Sequence, residues 1–157
     1  MFRKLTRQRL ELSHEECIEI LKKELRGVLA VLGDDAYPYA VPMNHFYNEE
    51  DGLIYFHSGK MGHKIDAMKN HDKVSFCVMD QGEKSDDWSY YFRSVIVFGR
   101  VEFIDDDEKI LSISEKLCYK FTSDKAYIEK ELKTSGPATL LFAIRPEHIC
   151  GKRVHEA

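Results

Sequence analysis

Tyr37-Pro-Tyr-Ala-Val-Pro-Met-Asn-His-Phe-Tyr47 reads as a strand, because aromatic and apolar residues dominate it, yet it carries Pro38 and Pro42. Proline cannot donate to a sheet ladder, so this strand belongs at an edge or crevice with part of its backbone free. Residues 48–52 form a hairpin loop, and Leu53-Ile-Tyr-Phe-His57 returns as the following strand. Upstream, Gly27-Val-Leu-Ala-Val-Leu32 is apolar enough for a buried strand, and Gly33-Asp34-Asp35 supplies turn chemistry.

Working outward, residues 73–79 give a fourth strand in which Val74, Phe76 and Val78 alternate. Residues 91–104 read as a long or bent strand with a bulge or bend at Gly99, and residues 138–144 as the last strand, followed by a short tail. Residues 81–88 are polar and read as a loop. Helices fill the gaps. Ser13 and Glu16 form a capping box before Cys17, Ile20, Leu21 and Leu25, which share one helical face, and Gly27 stops that helix. Residues 63–70 make a short helix with Ile65 and Met68 inward. Another, capped within residues 105–107, carries Ile110, Leu111, Leu117 and Cys118, and a further one spans residues 124–132. About six strands with irregular helical inserts suit a small closed barrel. No internal repeat or linker interrupts residues 1–157, which read as one domain.

Composition narrows the function classes. The chain has 157 residues, 43% hydrophobic and 32% charged, with a formal net charge of -4. Those values describe a globule with a real core and argue against a broad nucleic-acid surface, which needs a strongly basic face. The apolar runs are too short to span a bilayer, and no secretory leader opens the sequence, so a cytoplasmic protein without a membrane segment is expected. Cys17, Cys77, Cys118 and Cys150 are scattered and read as reduced thiols; the histidine spacing supports no metal site.

The chemistry concentrates in Phe56-His-Ser-Gly-Lys-Met-Gly-His-Lys64, which ends a strand and opens a helix. A helix start leaves backbone N–H groups unsatisfied and favours an anion, and glycines let the chain approach a ligand closely. Gly62, His63, Lys64 and Ser58 are the parts of a phosphate site, although an ordinary strand-to-helix turn would look similar. The proline-broken strand beside it, through Pro42, Met43 and Asn44, offers unpaired backbone groups and an amide to a planar heterocycle such as a flavin. An edge strand blunted against aggregation is the alternative.

These blocks, in order, resemble the FMN-binding split barrel of the pyridoxamine 5'-phosphate oxidase-like proteins, and within it the nitroimidazole-resistance branch. The resemblance runs through Tyr37 to His45, Ile54-Tyr-Phe-His-Ser58, Gly62-His-Lys64, Asn70-x-x-Lys-Val-Ser-Phe76, Arg93-Ser-Val-Ile-Val-Phe-Gly99 and Phe142-Ala-Ile-Arg-Pro-Glu-His-Ile-Cys-Gly-Lys152. It implies a mainly β fold, a six-stranded Greek-key split β-barrel with peripheral α-helices, holding FMN between the subunits of a homodimer. It also implies that His63 and Lys64 meet the phosphate, that His57 and Ser58 lie beside the flavin chain, that Met43, Asn44 and His45 run along the ring, and that Ser94 contacts phosphate or ribityl oxygen. The tail around Gly151 and Lys152 would reach the partner's flavin. The Arg/Trp-rich closing segment of the oxidases has no counterpart here, which speaks against vitamin B6 oxidation.

Nitro reduction consumes protons as well as electrons, so His45 and His57, on adjoining strands, are the candidates for proton delivery, with His45 preferred. Each could equally be a hydrogen-bonded structural histidine. The expected activity is an FMN-dependent oxidoreductase passing electrons from a nicotinamide or other reductant to a small nitro-aromatic or quinone-like acceptor. The alternative is a non-catalytic barrel that sequesters flavin or haem, with two histidines on a haem iron.

Overall fold

Alternate residues are buried along most strand segments, and this period of two turns one face of the sheet toward a common core. The computed structural model describes residues 1–85 and 88–156. Within them an eight-stranded antiparallel sheet contains β1 (Arg26–Leu32), β2 (Pro38–Asn44), β3 (Phe46–Asn48), β4 (Leu53–Gly59), β5 (Lys73–Met79), β6 (Glu83–Lys84), β7 (Tyr90–Phe103) and β8 (Thr139–Glu156). The strand order is β2-β1-β5-β7-β8-β4-β3, with β6 paired to β7. The outermost strands, β2 and β3, are consecutive in the chain with His45 between them. The sheet therefore curls until its two edges approach, giving the mainly β split barrel that the motifs implied. It has two short strands beyond the six expected, because β3 separates from β2 at His45 and β6 forms inside the polar loop. Two residues of that loop, Asp86 and Asp87, lie outside the described residues.

The barrel interior holds Leu29, Val31, Ile54, Phe56, Phe76, Val95, Val97, Phe142 and Ile144. Phe56 stacks on Phe142 and meets Phe76 edge-on, each at 5.0 Å. Burial of one such ring contributes roughly 1.5–3 kcal/mol. One end is plugged by α1 (His14–Lys23), whose Cys17, Ile20 and Leu21 are buried. The capping box is present: Glu16 N–H donates to Ser13 Oγ at 3.2 Å, and Ser13 N–H to Glu16 Oε2 at 2.8 Å. The helix ends at Lys23, short of Gly27, so Leu25 leaves the apolar stripe and is 42% exposed. The remaining helices are α2 (His63–Asn70), α3 (Asp107–Phe121) and α4 (Lys125–Thr134). α3 covers a second cluster of Leu53, Tyr55, Leu141 and Ala143 with Ile113; Leu111, expected inward, is exposed. None of the helices among the described residues is long and apolar enough to cross a membrane.

The β7–β8 ribbon shifts register between Phe98 and Gly99, at the predicted bulge. Phe98 faces His148 and Gly99 faces Pro146, so Glu147 is the extra residue, and it accepts a 2.8 Å bond from Arg100 Nε. β8 runs on to Glu156, where a tail was expected. All four cysteines are free.

His45 closes the seam. It is fully buried, and its Nε2 lies 2.7 Å from the Leu21 carbonyl at the end of α1. A carbonyl can only accept, so Nε2 carries the hydrogen and Nδ1, which has no partner among the described residues, is a bare acceptor. Lys120 of α3 donates to the carbonyls of both His45 (2.8 Å) and Glu24 (2.6 Å). Desolvation, then the Lys120 charge, push the His45 pKa down to about 3. The folded chain thus keeps this ring neutral while the unfolded chain protonates it near the ordinary 6.5. Stability from His45 is complete above that value and drains away as pH falls toward 3. Between pH 7 and 4 the chain should lose about 3 kcal/mol of unfolding free energy from this group, read from urea midpoints. A His45→Gln chain should show a visibly flatter pH dependence over the same interval.

Candidate functional site

Two unpaired strand edges frame the candidate groove. β3 pairs with Leu53, Ile54 and Tyr55 alone, so the upper half of β4 is bonded on its β8 side only. Among the described residues β2 pairs with β1 and has no ladder on its other side. The two strands approach one another. At the upper end Tyr39 of β2 stacks on His63 of α2, with ring centroids 4.3 Å apart. The proline-bearing strand is thus an edge strand, and the Gly-rich turn meets it.

The turn suits an anion. Gly62 is the N-cap of α2 with φ 127°, a conformation that a side chain would strain, and no side chain caps the helix. Its carbonyl accepts from both Ile65 and Asp66 N–H, and the first N–H groups of a helix have no partner within it. A side chain at Gly59 or Gly62 would meet open space, so a ligand can approach the backbone there. His63 is exposed, and its Nε2 accepts from Asp34 N–H at 3.2 Å, with the Asp34 carboxylate 3.7 Å away. Lys64 is half-buried in the first turn of α2, and Ser58 is half-buried on β4.

Along β2, Pro42 is exposed on the outer face, and Met43 packs inward against the core. Asn44 already accepts, through Oδ1, from Arg26 Nε at 2.9 Å. His45 does not line the groove, which corrects the preference given to it from sequence: its ring is sealed in the core with Nε2 committed to Leu21. His57 is the exposed histidine, on the outer face of β4, where desolvation lowers its pKa and Glu131 of α4 partly opposes the shift. Ser94 stands apart. β1 and β5 separate its strand from β2, roughly 14 Å at ordinary strand spacing, and its β8 neighbour is Lys152.

Sequence reasoning missed Tyr39 and Asp34, which hold His63, and Lys120, which locks the seam. Tyr39 had a usable signal, since it shares the inward parity of Val41 and Met43. Tyr90, Tyr91 and Phe92 sit at the α1 end, where Tyr91 stacks on His155 at 3.9 Å. A cavity of about 660 Å³ opens there, lined by Lys23, Glu24, Asp80, Arg93 and Arg153 among others. It touches none of the expected phosphate or ring ligands, and Arg93 is tied to Asp80 at 2.9 Å.

The sequence profile described as pyridoxamine 5'-phosphate oxidase matches residues 13–153. Among solved structures, a candidate 5-nitroimidazole antibiotic resistance protein from Bacteroides thetaiotaomicron superposes with a TM-score of 0.75 at 21% identity, covering 93% of this chain and 87% of that one. An FAD-binding protein from Mesorhizobium loti gives 0.65 at 27% identity, covering 94% and 97%. A conserved hypothetical protein from Mycobacterium tuberculosis gives 0.76 at 17% identity, covering 95% and 90%. A search of curated proteins finds no match.

The two histidines put forward as proton donors should separate cleanly in a proton NMR titration. His57 should titrate with a midpoint below that of an ordinary histidine, whereas His45 should stay neutral down to about pH 4. Titration of His45 near pH 6 would mean that its ring is open to solvent.

Proposed function

Because this chain belongs to the pyridoxamine 5'-phosphate oxidase family, we propose that it binds flavin, as FMN, in the groove between β2 and β4 and works as a flavin-dependent oxidoreductase on a small nitro-aromatic or quinone-like acceptor. The observation that carries this reading is the meeting of two unpaired strand edges with the uncapped start of α2. One end offers helix N–H groups, Lys64, His63 and Ser58 to a phosphate. The other offers free backbone donors and acceptors to the rim of a flat ring. The phosphate grip is compact, which suits a monophosphate. The Mesorhizobium loti and Bacteroides thetaiotaomicron proteins support the flavin and the acceptor class respectively.

Bound flavin would supply the electron transfer that no side chain here can perform. The chain's own groups bind, orient and deliver protons. Lys64 and His63 anchor the phosphate, and the backbone of residues 41–44 sets the ring. His57 replaces His45 as the proton donor. Its exposure lets the ring take up a proton from the buffered solvent, and the lowered pKa makes the protonated ring readier to release it to the acceptor. A haem reading would need a nitrogen that His45 does not present, since Nε2 is taken and Nδ1 lies in the core.

Ser94 and Lys152 could reach the same cofactor only from a second chain. The outer sheet face they share exposes Val28, Leu32, Met79, Ile96 and Phe98, an apolar surface suited to a second copy. We therefore include a homodimer with the flavin at its interface.

Purified protein should be yellow and bleach under NADH, or under dithionite if another reductant is the natural one. Lys64→Ala should weaken FMN binding by roughly 1–3 kcal/mol, measured by fluorescence quenching, while His57→Gln should slow nitro-compound reduction and leave FMN affinity within about twofold. Ile96→Lys should shift the chain from dimer to monomer on a sizing column and lower flavin occupancy with it. A variant that stays dimeric and fully loaded would exclude this face as the interface.

A further inference from the structure

Gly33 has φ -81° and ψ -168°, values that any residue adopts, so backbone freedom does not explain a glycine there. Space does. A Cβ on Gly33 would lie 2.9 Å from His63 Nε2, 3.1 Å from the Tyr37 carbonyl oxygen and 3.1 Å from Tyr39 Cβ. The same imidazole is stacked on Tyr39, and its Nε2 accepts from the backbone N–H of Asp34. Three contacts from the β1–β2 turn and the start of β2 thus converge on one ring.

The hydrogen bond fixes more than position. A backbone N–H can only donate, so Nε2 must offer its lone pair, and the neutral ring carries its hydrogen on Nδ1. Nδ1 is the nitrogen next to Cγ, so its hydrogen stays close to the residue's own backbone at the uncapped start of α2. We propose that Gly33, the Asp34 amide and Tyr39 form a buttress that holds His63 as the Nδ1–H tautomer and makes it a directed donor to the phosphate. The proposal rests on the phosphate reading above and adds three positioning residues to it, which act through His63. A neutral imidazole thereby serves as an oriented donor in place of a second fixed charge.

Two measurements test it. In the flavin-free protein, a two-bond proton–nitrogen correlation spectrum should show His63 as the Nδ1–H tautomer, and Gly33→Ala should abolish that pattern; an Nε2–H signature in the parent chain overturns the buttress. In the loaded protein, Gly33→Ala should raise the FMN dissociation constant about tenfold, the scale of one lost donor to a charged group. Made in a His63→Ala chain, where the Cβ clash with the ring is gone, the same change should alter it less than about twofold. Equal losses in both backgrounds overturn the proposal, because Gly33 would then act independently of His63. Tyr39→Leu, which keeps bulk but removes the stacked ring, should loosen the tautomer in the same spectrum should Gly33→Ala fold poorly. If the parent chain takes up no FMN at any concentration, the cofactor reading fails, and the spectrum alone decides the buttress.

Discussion

The bond between the His45 ring and the Leu21 carbonyl is the constraint on which the architecture turns. Between β2 and β3 the chain must pass from one edge of the sheet to the other, and a single residue makes that passage. Burying an imidazole is unfavourable unless its polar atoms are satisfied. Here one nitrogen donates to the end of α1, the other stays bare, and Phe76 packs edge-on against the ring at 5.0 Å. Lys120 then ties the carbonyls of Glu24, at the end of α1, and of His45 to α3, although burial pulls its pKa down to about 8. Plug helix, seam and outer helix are joined at one point. The free edges of β2 and β4 run away from it toward the Tyr39–His63 stack, so the groove is fixed at both ends.

Much of this was legible from residue order because the relevant signals are local. A capping box, an edge strand marked by two prolines, a glycine bulge and a glycine turn before a lysine each act within a few residues, and each lies where the pattern put it. The far end of the chain was not legible, and the bulge explains why. Before it Phe142 and Ile144 face the barrel; after it the inward positions are Ile149 and Gly151. One added residue, Glu147, swaps the faces of β8, so a reader counting by twos loses the strand at Pro146. The end of α1 was misplaced for a related reason: Leu25 fits the helical spacing, but the chain must already be extended at Glu24 to enter β1.

The two histidines show the limit of sequence for a site. Both sit among aromatic and apolar residues, and nothing local distinguishes them. His57 keeps the regular alternation of β4 and falls on the outer face. His45 occupies a break in the sheet, where alternation carries no information and tertiary contacts decide the direction of the ring. Desolvation lowers the proton affinity of both, but only one is in contact with water. Strand order separates Ser94 from the groove: its strand is central in the sheet, so sharing a ligand with β2 would need a second copy of the fold.

Cys77 and Cys150 lie on the outer sheet face, on either side of Ile96 in register. Two strand spacings separate them, about 10 Å, beyond the reach of a disulfide within one chain. Burial raises both thiol pKa values, so they stay protonated and slow to react at neutral pH. On this face the two sulfurs therefore act as apolar packing surface and not as nucleophiles.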